Sequence, residues 1–205
     1  GTYCGYSAVQ LARVSSGVHL TTVEVDPVNV VVSRNIIAMA GFSQSVSVWT
    51  GHSATVLPRL EKQRLSFGVV FMDRWASQYH EDLDLLEHCG LLLPNAVMIA
   101  DNVLRTGAPL FLWRVMAGGA HITNLLPVTE VQSSNEDWLS VSVCLRSSSA
   151  TPNTVTPESL LRLHQESERL RERVIRPGDG VPAEEQAAFA KKVQKVLAAV
   201  GIAAR

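Results

Sequence analysis

Over the first 146 residues, short β-branched runs alternate with longer amphipathic stretches, the pattern of strands connected by crossover helices into a mostly parallel sheet. HLTTVEV (19–25), SVSVW (45–49), FGVVFMD (67–73) and AVMIAD (96–101) predict strands. Between them, 6–14, 27–40, 54–62 and 78–91 carry apolar residues at helical spacing and predict helices. Pro27 suits a first helical turn, where its missing N–H costs nothing, and Gly41 suits the position just past a helix end. A further helix is predicted over 107–116, and WLSVSVCL (138–145) shows the two-residue alternation of a half-exposed antiparallel strand. The order of elements predicts a doubly wound α/β domain over 1–146.

From 147 to 157 the composition turns to Ser, Thr, Pro and Asn, as in a linker. A helical tail over 158–205 follows. Thr156 and Pro157 predict its N-terminus, and Leu160, Leu163, Leu170 and Val174 form one apolar stripe. RPGDGVP (176–182) interrupts the pattern, and Phe189, Val193, Val196, Leu197 and Val200 then make a second stripe. Such a tail either packs on the domain as a helical hairpin or presents a face to a protein partner.

Composition narrows the functional classes. The 205 residues are 46% hydrophobic and 18% charged with a net charge of −1, so nothing in the charge balance points to nucleic acid or an anionic membrane. No apolar run is long enough for a bilayer span and the N-terminus lacks the features of a signal peptide. A cytoplasmic location is the expectation, unless a leader or anchor precedes Gly1. Cys4, Cys89 and Cys144 lack metal-ligand spacing and read as reduced thiols.

The candidate chemistry lies where predicted strands end. In GTYCGYS (1–7), Gly1 and Gly5 lack side chains where a loop turns sharply into a helix, as loops that admit a ligand close to the backbone do. Glu24 ends the next strand, the place where an acid in nucleotide-binding α/β folds accepts both ribose hydroxyls; the alternative is a solvated glutamate before a turn. Asp73 and the pair Asp101 and Asn102 end two strands of one parallel sheet and so share an edge. Their oxygens suit a hard cation such as Mg²⁺, or else they cap loops and helices.

GTYCGYS, TVEVDP, GHS (51–53), MDRW (72–75), LLEHCGLL and ADNVLRTGAP together resemble catechol O-methyltransferase and its relatives among the class I S-adenosylmethionine-dependent methyltransferases. The resemblance runs from about Gly1 to Arg146 and stops before the tail. It implies a Rossmann-like methyltransferase fold with S-adenosylmethionine and Mg²⁺ as cofactors. Gly1, Tyr3, Gly5 and Ser7 would line the methionine portion, Glu24 would hold the ribose, Ser53 would meet the adenine edge, and Arg74 and Trp75 would flank the ring. Asp73, Asp101 and Asn102 would bind the metal, and Glu130 falls near a family acid that binds the second substrate hydroxyl. The implied reaction is methylation of a hydroxyl on a small hydroxylated, catechol-like aromatic molecule.

Two departures accompany these matches. The family's general-base lysine follows the Trp of its metal-aspartate motif, and here that place is Ala76. A positioned base is worth about 10²–10⁴ in rate, so His52 or His80 would have to substitute, or turnover would be slow or absent. The family also has a strand and helices ahead of the glycine loop, so the chain reads as an N-terminally incomplete domain without its first strand. Two other readings compete: a methyltransferase-fold interaction subunit without turnover, and an NAD-dependent dehydrogenase, which the absence of Gly-x-Gly-x-x-Gly disfavours.

Overall fold

The computed structural model describes residues 1–105, 107–129, 136–145, 155–175 and 181–204, the side chains of 174 and 175 apart. The chain divides into two compact units, Gly1–Leu65 and Ser66–Arg205.

The first unit runs α1 (Tyr6–Val14), β1 (Leu20–Glu24), α2 (Pro27–Met39), β2 (Val46–Thr50) and α3 (Ser53–Lys62). β1 and β2 pair in parallel from Leu20↔Val46 to Glu24↔Thr50, so both strands finish at one edge. Ala8 of α1, Val30 and Ile37 of α2, and Val46 and Val48 of β2 form the core between them. Local chemistry sets the limits of α2: the Asp26 carboxylate accepts the N–H groups of Val28 and Asn29, Pro27 begins the helix, and Gly41 lies beyond it at φ 82°.

The second unit comprises β3 (Phe67–Met72), a single 3₁₀ turn (Ala76–Gln78), α4 (Tyr79–His88), β4 (Leu92–Ala100), α5 (Pro109–Ala117), β5 (His121–Thr129), β6 (Glu136–Cys144), α6 (Glu158–Ile175) and α7 (Ala183–Ala199). Its sheet has the order β3-β4-β6-β5. β3 and β4 are parallel, whereas β6 is antiparallel to both β4 and β5. Tyr79 and Phe111 meet edge to face at 5.7 Å in a core that includes Leu83, Met98 and Leu112.

Nine helices and strands predicted over 1–146 recur within a few residues as α1 to α5 and β1 to β4, and the antiparallel run at 138–145 is β6. β5 is the element the pattern misses: Ile122, Leu126 and Val128 are exposed and Pro127 interrupts the run, so no clear alternation marks a strand. The predicted 147–157 linker lies mostly outside the described residues. Thr156 and Pro157 directly precede α6, as expected, and the tail takes the packed form of the two considered. Leu160, Leu163, Val193 and Leu197 are fully buried, α6 packs on α5 and the 3₁₀ turn, and α7 packs on α6. No helix among the described residues is long and apolar enough to cross a membrane.

Gly107 shows how tightly the tail is seated. It has φ 75°, and a Cβ there would stand 2.5 Å from Ser167 Oγ of α6 and 3.1 Å from Phe189 of α7. Gly107→Ala is therefore expected to lower the unfolding free energy by about 1–3 kcal/mol, from the left-handed backbone and the overpacking together. Urea titration of the two proteins measures the difference.

Candidate functional site

In the first unit the glycine loop is held by a strand-end acid. Glu24 is buried, and its Oε2 accepts the N–H groups of Thr2 and Tyr3, both at 2.8 Å, while Oε1 accepts that of Asp26 at 2.9 Å. Thr2 adds hydroxyl contacts to Thr22 Oγ1 (2.7 Å) and the Val23 carbonyl (3.1 Å). Burial alone would raise the Glu24 pKa, but the N–H donors of Asp26, Tyr3 and Thr2 outweigh it and hold the carboxyl below its ordinary 4.5. A carboxylate offers about four acceptor positions. Three are taken by backbone, which leaves one on Oε1.

The other expected cofactor residues of this unit lie along the same edge. Gly51 donates its N–H to the Glu24 carbonyl at 2.8 Å, and His52 precedes α3, of which Ser53 is the first residue. Tyr3, at φ 49°, and Ser7 are exposed. Gly5 has a role that sequence alone does not show: it precedes α1 at φ 90°, and a Cβ would lie 3.2 Å from that of Ser33 on α2. Its missing side chain lets two helices approach.

In the second unit the β3–β4 register sets Met72 opposite Ala100, so Asp73 and Asp101 follow paired residues, and the Asp101 N–H donates to the Met72 carbonyl at 3.0 Å. Tyr79, fully buried, fixes both turns. Its hydroxyl accepts the Arg74 N–H at 3.1 Å and shares one proton among the carbonyls of Met72, Arg74 and Asp101, all within 3.1 Å. Burial, with Asp73 and Asp101 adding negative charge nearby, raises the phenol pKa far above 10, so it stays a donor.

Asn102 occupies left-handed backbone at φ 55°. Its side-chain NH₂ donates to Asp137 Oδ2 at 3.0 Å. Because a carboxylate can only accept, this bond identifies which arm of the amide is nitrogen, and the carboxamide oxygen is the arm turned away from Asp137. Asp137 has no exposure, and its Oδ1 gathers the N–H groups of Leu104, Arg105 and Trp138. No reading of the sequence singled it out; its one signal is an acid beside Trp138 at the start of a strand.

The segment after Asp73 departs most from the expected site. The Arg74 guanidinium is drawn back to Asp82, with Nε–Oδ2 2.6 Å and Nη2–Oδ1 3.2 Å, and also reaches Gln78. Trp75 is half-buried, and Ala76 is only 1% exposed, beneath the tail. Of the substitute bases, His52 is exposed, whereas His80 meets the ring of His164 on α6 edge to face at 5.0 Å. Glu130 lies outside the described residues. Among the described residues no three His, Cys, Asp or Glu side chains form a metal-binding group; the expected set has two carboxylates and a carboxamide.

Strand-end acids in parallel pairs, a glycine loop opening a helix and an antiparallel β6–β5 hairpin are features of the α/β methyltransferase fold. The chain belongs to the O-methyltransferase family, whose profile matches residues 1–111. It is 40% identical over 122 residues to a catechol O-methyltransferase of Sus scrofa, covering 58% of this chain and 66% of that protein. It is also 40% identical over 116 residues to a transmembrane O-methyltransferase of Homo sapiens, covering 55% and 40%. The chain thus spans less than two thirds of the length of these curated relatives. Among solved structures, an O-methyltransferase of Bacillus cereus in complex with SAH superposes with a TM-score of 0.64 at 25% identity, covering 70% of this chain and 71% of that one.

Two measurements test this geometry. Asp137→Ala should lower the unfolding free energy by about 3 kcal/mol or more, since several hydrogen bonds of roughly 1.5–3 kcal/mol each to one charged acceptor are lost; urea unfolding at neutral pH reads it. Because the folded-state pKa of Glu24 is depressed, its stabilisation is complete above about pH 4.5 and fades as pH falls through the folded value. Glu24→Gln should accordingly be less stable than wild type at pH 7, with the gap closing toward pH 3 in a series of urea midpoints.

Proposed function

We propose that this chain is an S-adenosylmethionine-dependent O-methyltransferase that acts, with a divalent cation such as Mg²⁺, on a hydroxyl of a small catechol-like aromatic molecule. The observation that carries the reading is the orientation of Asn102. Its NH₂ is tied to a buried carboxylate, so the carboxamide oxygen is the arm turned away from Asp137; Asn102 follows Asp101, and Asp101 and Asp73 each follow one of the paired residues Ala100 and Met72. Two carboxylates and a carboxamide oxygen are the hard donors that suit Mg²⁺. They are the residues that the likeness to catechol O-methyltransferases leads one to expect.

S-adenosylmethionine supplies a methyl group already activated on a sulfonium. Glu24 keeps one acceptor position for a ribose hydroxyl, and the loop it holds opens onto the N-terminus of α1. A bound divalent cation supplies a Lewis acid that makes a phenol more acidic. Asp73, Asp101 and Asn102 would hold the cation. The work left to the protein is orientation, which can supply a large part of such a rate enhancement.

A methyltransferase-fold protein without turnover is the second reading, and the burial of Ala76 favours it. No amine projects from the place where the family's base stands. Calorimetry with S-adenosylhomocysteine and a radiolabelled methyl-transfer assay on catechol, with and without Mg²⁺, separate the two. Cofactor binding with Mg²⁺-dependent transfer, lost in Asp101→Ala, upholds the enzyme; cofactor binding without transfer upholds the alternative. Ala76→Lys is expected not to restore rate. Burying an ammonium under the tail should instead cost several kcal/mol or lift the helices, seen as a lower melting temperature and faster proteolysis of the C-terminal region.

A further inference from the structure

β1 and β2 form a two-stranded sheet, and the phase of their pairing fixes which backbone groups of β2 face away from β1. The Leu20 N–H donates to the Ser45 carbonyl and the Gly51 N–H to the Glu24 carbonyl, both at 2.8 Å. Ser47 and Trp49 therefore turn their backbone groups to β1, while Val46, Val48 and Thr50 turn theirs outward. Two of the outward groups are taken: the Val46 N–H donates to the Phe42 carbonyl at 3.0 Å, and the Val48 carbonyl accepts Arg34 Nη2 at 2.8 Å. The Val48 N–H is left facing a groove of about 610 Å³ that runs along this edge.

Two arginines flank the edge from opposite faces. Side chains alternate between faces along a strand. α2, which carries Arg34, packs through Val30 and Ile37 on Val46 and Val48, whereas Arg59 of α3 lies over the Trp49 ring, 5.2 Å from its centre. Both guanidinium groups line the groove, and none of its lining residues is acidic. Among the described residues neither arginine has a carboxylate partner; they are held by a carbonyl and an indole ring, both neutral. With five N–H groups each, both keep donors for a ligand. Charge at a sheet edge also repels stray strands, but a guard of that kind needs no concavity.

We propose that this groove binds a small phosphorylated molecule, its phosphate set between Arg34 and Arg59 and reached by the Val48 N–H. A carboxylate is planar and meets one guanidinium fork in its own plane. Phosphate oxygens project in several directions, so one group can meet forks on both faces. A peptide strand fits less well, because it would pair with the Val48 carbonyl that Arg34 occupies. The inference is independent of the methyltransferase reading.

Inorganic pyrophosphate is the probe, titrated without Mg²⁺ into the 205-residue chain at physiological ionic strength and followed by calorimetry and amide NMR. It should bind with resonance shifts centred on β2, and Arg34→Gln and Arg59→Gln should each weaken it by about tenfold or more. Arg13→Gln removes an exposed arginine that does not line the groove; screening should keep its affinity within about twofold of wild type. If Arg34→Gln fails to fold, Arg59→Gln carries the same expectation. Tricarballylate, with three carboxylates, should bind at least about tenfold more weakly than pyrophosphate. The proposal is overturned by no binding of pyrophosphate at millimolar concentration, by groove variants that bind it as wild type does, or by an equal loss in Arg13→Gln. Tricarballylate or an acidic peptide binding as tightly as pyrophosphate would also overturn it, as would displacement of pyrophosphate by S-adenosylhomocysteine.

Discussion

A carboxylate withdrawn from water must collect hydrogen bonds or give up its charge, and Asp137 collects four. Three come from backbone N–H groups and one from Asn102, so a single buried charge dictates the path of the chain after β4. The left-handed turn at Asn102, the aim of its amide and the position of Gly107 beneath α6 are all tied to that path. Tyr79 performs the matching task from the other side, joining the turn after β3 to the turn after β4 through one hydroxyl. The candidate cation ligands thus stand on two loops whose backbones have little freedom to separate.

The first unit applies the same chemistry at its own strand end. Glu24 receives three backbone N–H groups, two of them from the glycine loop, and its pKa falls because these donors outweigh burial. The carboxylate is therefore held in one orientation by the glycine loop and by its own strand's turn.

Much of this was legible in the sequence. Strand-end acids were readable because parallel strands finish on one side of a sheet, so Glu24, Asp73, Asp101 and Asn102 could be picked out before any coordinates. The apolar stripes of the tail were equally plain. What they pack against was not, because a helical period tells how wide an apolar face is and nothing about its partner. Asp137 escaped notice for a related reason: an acid beside a strand looks like a solvated one until the loop that wraps it is placed. Gly5 was read as making room for a ligand, and the structure shows it also making room for Ser33, a contact between elements that no local pattern encodes. β5 was hidden by its exposed apolar residues and Pro127, its pairing being set by β6 alone.

The seat of Gly107 against Ser167 and Phe189 makes the turn after Asn102 and the C-terminal hairpin a single cooperative block. The amide protons of Leu104 and Arg105, both bonded to Asp137 in that turn, exchange with solvent when the turn itself opens.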